Sequence, residues 1–91
     1  MASVAKNGHY GYINTAGEVV IPLEFSNANP FSEGLAPVAN AKGLWGYIDS
    51  KGTWIISPEY DYTDSFVNGE ARVTKDGKLF YIDKMNNKLH D

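Results

Sequence analysis

The chain has no cysteine among its 91 residues, so neither a disulfide nor a thiolate metal site can staple it. Histidine is nearly as scarce. His9 and His90 stand far apart, and a zinc site needs three or four ligands in a compact pattern, so no metal and no cofactor is expected. Charge of one sign never accumulates: eight bases are interspersed with eleven acids for a net charge of −3. That excludes the basic stripe by which a protein holds nucleic acid. Apolar runs extend over only a few residues, which excludes a membrane-spanning helix, and the start Met1-Ala2-Ser3-Val4-Ala5-Lys6 lacks the hydrophobic segment of a secretory leader. A helical apolar period sustained over several turns is missing as well.

What the chain does have is 43% hydrophobic residues, twelve aromatics among them, and a repeat. A single domain over residues 1–91 is small enough that further burial by association is attractive. Tyr10-Gly11-Tyr12-Ile13-Asn14 returns 35 residues later as Trp45-Gly46-Tyr47-Ile48-Asp49. Gly17, Ile21, Glu24 and Phe25 return as Gly52, Ile56, Glu59 and Tyr60, and Phe31, Gly34, Ala36 and Val38 as Phe66, Gly69, Ala71 and Val73. A weaker third copy, Leu79-Phe80-Tyr81-Ile82-Asp83, follows at an offset of 34. So many matches in register mean duplication.

Turn chemistry divides each copy into strands. Asn7-Gly8 and Asp76-Gly77 lie between alternating runs, the strongest short-range signal for a hairpin whose two central residues need positive φ. Ala41-Lys42-Gly43 reads as the same joint with one residue more. A second turn closes each central strand, at Asn14–Gly17, Asp49–Gly52 and Asp83–Asn86, where the leading Asn or Asp can accept backbone N–H groups two residues on. The fold expected is all-β: three antiparallel three-stranded meanders at about residues 3–21, 35–57 and 70–90. Longer connections at Pro22–Gly34 and Ser57–Gly69 would join them, with Pro22, Pro30 and Pro58 arguing against central strands there. Repeat units of this kind cannot bury their apolar faces alone and stack on neighbours. Trp45, Tyr47 and Asp49 share one face of the central strand and Gly46 and Ile48 the other, and Gly46 is read as leaving room for an adjacent unit. The third unit, with Phe80 in place of that glycine, reads as a cap.

These residues also carry a resemblance. Gly43-Leu44-Trp45-Gly46-Tyr47-Ile48-Asp49-Ser50-Lys51-Gly52, then Ile56-Ser57-Pro58-Glu59-Tyr60-Asp61, resembles the WG (or KWG) repeat of bacterial proteins. The tail of that motif stands as Phe31-Ser32-Glu33-Gly34-Leu35-Ala36-Pro37-Val38 and as Phe66-Val67-Asn68-Gly69-Glu70-Ala71-Arg72-Val73. The signature tryptophan is Tyr10 in the first copy and Leu79 in the third, and the third also lacks the paired glycine. The resemblance implies a β-rich repeat module without catalytic residues, often one segment of a larger protein. The positions Trp45, Gly46, Tyr47, Asp49 and Gly52 are then structural.

For chemistry, there is no Ser-His-acid arrangement and no glycine-flanked nucleophile. Asp49, Glu59, Asp61 and Asp64 could supply a carboxylate pair, but Asp49 recurs as Asn14 and Asp83 because a turn needs it. The chain is therefore read as non-enzymatic. Trp54 replaces Val19 and Tyr62 replaces Asn27, so neither ring is demanded by the repeat, and these two are the candidate contact residues for a ligand or partner. The function expected is protein–protein interaction or assembly, with a homo-oligomer, most simply a twofold dimer, formed through unpaired strand edges. The alternative is a cell-wall glycan or choline-type ligand held by exposed aromatics. Leu79–Asp83 is faintly similar to choline-binding repeats, whose aromatic cages hold a quaternary ammonium by cation–π attraction.

Overall fold

The computed structural model describes residues 2–91, so Met1, the first residue of the expected domain, lies outside the described residues. The strands are β1 (Ala2–Lys6), β2 (His9–Ile13), β3 (Val19–Phe25), β4 (Asn27–Ala28), β5 (Ala36–Ala39), β6 (Trp45–Ile48), β7 (Trp54–Tyr60), β8 (Tyr62–Thr63), β9 (Ala71–Lys75), β10 (Lys78–Ile82) and β11 (Lys88–His90). Among the described residues there is no helix. Asn7-Gly8 and Asp76-Gly77 both take positive φ (53° and 80°, 52° and 78°), as a type I′ hairpin requires. The loops after the central strands are Asx turns: the side-chain oxygens of Asn14, Asp49 and Asp83 each accept the N–H groups two and four residues on, at 2.9–3.0 Å. Asn40 does the same with Lys42 and Leu44. The joint at Ala41–Gly43 is therefore not an extended I′ turn but a fourth copy of the Asx loop, built on the residue just before it.

All three meanders form, with a correction to their edges. The sheets run β1-β2-β3, β4-β5-β6-β7 and β8-β9-β10-β11. The third strand of each full unit does not stop before its proline: β3 passes through Pro22 to Phe25 and β7 through Pro58 to Tyr60. After one residue the same chain enters the next sheet as β4 or β8. The N–H of Ser26 already bonds Ala39 O, and that of Asp61 bonds Thr74 O. What reads as a long loop is thus half strand. The prolines fit because β3 and β7 are edge strands and each proline sits in a bulge, where no ladder N–H is required.

The bulge explains the glycine of each central strand. Tyr10 pairs with Phe25 and Tyr12 with Ile21, so three residues of β3 face the single residue Gly11; Trp45–Tyr60 and Tyr47–Ile56 frame Gly46 in the same way. A Cβ on Gly11 would lie 2.8 Å from both Pro22 C and Leu23 N, and one on Gly46 2.9 Å from Ser57 C and Pro58 N. Gly46 therefore makes room for the backbone of its own sheet's next strand, not for an adjacent unit. Strand β11 pairs only with Tyr81 and Ile82, its register shift lying between those two, and none of its residues is paired opposite Phe80. Phe80 can stand at the glycine position there, edge-on to Tyr60 at 6.1 Å with the Lys88 ammonium over its ring.

Packing follows from strand alternation. Tyr12, Ile21 and Phe25 of the first sheet bury against Ala36, Val38 and Ile48 of the second. Tyr47, Ile56, Tyr60 and Trp45 on the opposite face of the second sheet bury against Ala71, Val73 and Ile82 of the third, with Phe66 between. The middle sheet is therefore covered on both faces, and β5 and β6 are buried throughout. The buried phenols keep partners. Tyr12 donates to Asn29 O at 2.6 Å and Tyr47 to Asp64 O at 2.5 Å, each 17 residues ahead. Burial raises both hydroxyls well above the ordinary tyrosine pKa, and that of Tyr60, which meets Asn86 and the Glu59 charge, is pushed up to about 12. The Thr63 hydroxyl, at the position of Ala28, is buried without a hydrogen-bond partner.

Two further I′-like turns lock the stack. Glu33-Gly34 and Asn68-Gly69 take φ of 54° and 83°, 55° and 81°. Asn tolerates this region, whereas glutamate in it costs about 1 kcal/mol or more. Glu33 offsets that cost across the units. Its carboxylate accepts the N–H groups of Asn68 and Gly69, and Lys84 from the third unit bonds both its carboxylate and its carbonyl.

Three outcomes follow. Gly46→Val should destabilise the fold by about 3 kcal/mol or more, because the added atoms meet backbone that cannot step aside, and thermal melts will read it. Bonds from Gly69 and Asn68, then the Lys84 charge, hold the Glu33 carboxyl below the usual carboxylate range. A depressed folded pKa adds stability above the unfolded value, lost as pH falls through the folded one. The melting difference between wild type and Glu33→Gln should therefore be full at pH 7 and narrow as pH falls below about 4. Thr63→Val, which removes an unpaired buried hydroxyl, should raise stability by up to about 1 kcal/mol in denaturant melts.

Candidate functional site

Trp54 opens β7 opposite Ile48, and its ring lies edge-on to Phe25 of the first sheet at 5.7 Å, 36% exposed. Val19 holds the same place in the first unit and is 57% exposed. Tyr62, in β8, lies edge-on to Trp45 at 5.0 Å and is 41% exposed. The two candidate contact rings thus sit on different sheets, each resting on a more buried ring rather than facing the other. The repeat positions go inward. Trp45, Gly46 and Tyr47 are buried, Asp49 holds its loop, and Gly52 takes a φ of 83° in that loop, where a side chain would meet Ile21 of the first sheet.

The carboxylates weighed from the sequence are each engaged separately. Asp61 accepts the N–H of Asp76 at 2.9 Å, Asp64 pairs with Arg72 at 2.9 Å, and Glu59 lies 3.9 Å from Lys75. Among the described residues no group of three or more His, Cys, Asp or Glu side chains converges on a point.

Two surfaces were not singled out from the sequence. One is the outer face of the first sheet, where half-buried Val4 and Ile13 join exposed Ala2 and Val19. It is the register equivalent of Ala36, Val38, Ile48 and Trp54, which the first sheet covers. The other is an open cleft of about 490 Å³ beside the third sheet, lined by Asp64, Val67, Asn68, Glu70, Arg72 and Tyr81. The repeat register would have found both: each internal face has a copy at an end of the stack that no other sheet of the described residues covers.

No curated protein and no solved structure matches the chain. The family model of the WG-containing repeat matches it twice, over residues 10–41 and 45–78, which together take in both bulged hairpins and both turn staples. The tandem turn chemistry, the Trp-Gly or Tyr-Gly central strands and these two matches agree: the chain belongs to the WG-containing repeat family.

Proposed function

We propose that the chain is a non-catalytic repeat module that mediates protein–protein interaction or assembly. The observation that carries this reading is the outer face of the first sheet. Its two internal copies are buried by a neighbouring sheet, while Val19 stands 57% exposed on it. An apolar sheet face that the rest of the fold covers wherever it can is a contact surface, and covering it removes apolar area at about 25 cal/mol per Å². A second copy is the simplest partner, giving a twofold dimer. Trp54 and Tyr62, each more than a third exposed, are the rings we assign to partner contact. Separately engaged carboxylates support the non-catalytic part of the reading.

Light scattering coupled to gel filtration over about 10–100 μM should show a mass above 10.0 kDa that grows with concentration, because weak-to-moderate complexes dissociate near a micromolar. Val19→Glu should return it to the monomer. A 10.0 kDa mass throughout, together with tryptophan fluorescence that shifts with millimolar sugar or choline, would instead favour a glycan or choline-type ligand.

A further inference from the structure

The cleft beside the third sheet is the empty counterpart of a seat that is filled between the second and third units. In the filled seat, the Phe66 ring lies 4.7 Å from that of Tyr47 and is fully buried. Tyr47 donates to Asp64 O, two residues before the phenylalanine. Ser32 donates to Phe66 O at 2.7 Å, and Glu33 accepts the N–H groups of the turn that follows. Leu35 closes the side in the same apolar cluster. Carried one repeat onward, Ser32, Glu33, Leu35 and Tyr47 become Val67, Asn68, Glu70 and Tyr81, and all four line the open cleft.

The same pairing occurs once more, at the other end of the stack, where Phe31 lies 4.8 Å from Tyr12 and Tyr12 donates to Asn29 O. There Phe31 is only half-buried, whereas Phe66 is fully buried in the seat that the first unit's Ser32–Leu35 turn helps to form. The chain thus shows a ring and a carbonyl acceptor two residues before it, held by one tyrosine, twice. Tyr81 is the third such tyrosine, paired across from Arg72 and His90 as Tyr47 is from Pro37 and Ile56. The difference is that the His90 ring stacks on it at 4.5 Å and reaches Glu70 at 3.5 Å, so the cleft opens on the part of Tyr81 that His90 leaves uncovered.

Resting on the protein-interaction reading above, we propose that this cleft binds an extended peptide segment of a partner protein that presents a phenylalanine. The aromatic side chain packs on Tyr81, and the carbonyl two residues before it accepts the Tyr81 hydroxyl. The seat differs from its filled copy in ways that shape the partner. Val67 cannot donate as Ser32 does, so the carbonyl of the phenylalanine gets no bond from that position. Asn68 offers an amide oxygen where Glu33 offers a carboxylate, so a turn with free N–H groups after the phenylalanine is still accepted. Glu70 and the Asp64–Arg72 pair make the rim polar where Leu35 makes it apolar. The exposed position of the cleft fits a transient contact rather than a core.

The probe is a synthetic peptide copying residues 60–70 of this chain, with a second peptide carrying Phe66→Ala, titrated to about 1 mM against the full chain by NMR and fluorescence anisotropy. The phenylalanine peptide should shift the amides of Asn68, Arg72 and Tyr81, and the alanine peptide should bind about tenfold more weakly, the size of one aromatic pair contact. Tyr81→Ala in the protein should cost a similar factor, and Tyr81→Phe a smaller one. Because the peptide comparison needs no protein variant, a failure of Tyr81→Ala to fold leaves the test intact. Equal binding of the two peptides, no binding at all, or shifts centred on Tyr47 through exchange with the chain's own segment would overturn the proposal. A concentration-dependent mass in light scattering would then still support protein interaction through the outer face of the first sheet, so the two ideas fail separately.

Discussion

A strand that belongs to two sheets has to bend, and the bend has to be accommodated by the strand beside it. Here the accommodation is the missing Cβ of Gly11 and Gly46. Three residues of β3, and three of β7, press their backbone over one residue of the central strand. The bulge turns the chain so that its last residues leave one sheet and pair in the next. Without that close approach the third strand would run straight, β4 and β8 would have no sheet to join, and the units would lose the continuous backbone that ties them. The Trp-Gly pair thus combines two requirements on adjacent positions and opposite faces: a large ring for the core on one side, and no side chain on the other.

Stacking then decides the energetics. A four-stranded sheet with two apolar faces cannot bury both by itself, so the middle sheet is stable only as a filling between two others. Tyr12, Tyr47 and Phe66 show the arrangement in detail: all three rings are fully buried, and the two phenols each reach a backbone carbonyl in the segment that crosses to the next sheet. Truncating such a ring costs about 3–5 kcal/mol, a large share of what a domain of this size can hold. The Glu33 staple adds a polar tie at the rim, where solvent weakens ion pairs but the two backbone N–H groups it satisfies are held in fixed geometry.

The same arithmetic that makes the interior works against the ends. Each internal face has a complement because the repeat supplies one. The first sheet's outer face and the third sheet's cleft hold the equivalent register positions, with partly different residues, and no further sheet of the described residues covers them. The interaction we propose at these ends would extend the packing rule that builds the fold rather than add a new kind of site.

The sequence alone determined the repeat, the all-β class and the position of most turns, because these depend on local chemistry. Positive φ selects Asn-Gly and Asp-Gly, an Asx side chain satisfies amides two and four residues on, and alternation sorts Tyr47 from Ile48. It also singled out Trp54 and Tyr62 as rings outside the repeat. The Asx loop at Asn40 was open to the same local logic but was hidden by counting from the next residue. Tertiary structure decided the rest. Pro22 and Pro58 read as strand breakers until an edge position and a bulge made their missing N–H harmless. Gly46 read as space for a neighbour until the opposing backbone was seen to come from its own sheet. Which apolar face lies open, and which tyrosine waits beside an empty seat, depends on how units stack, and stacking is a relation between residues some 35 positions apart that no local pattern contains.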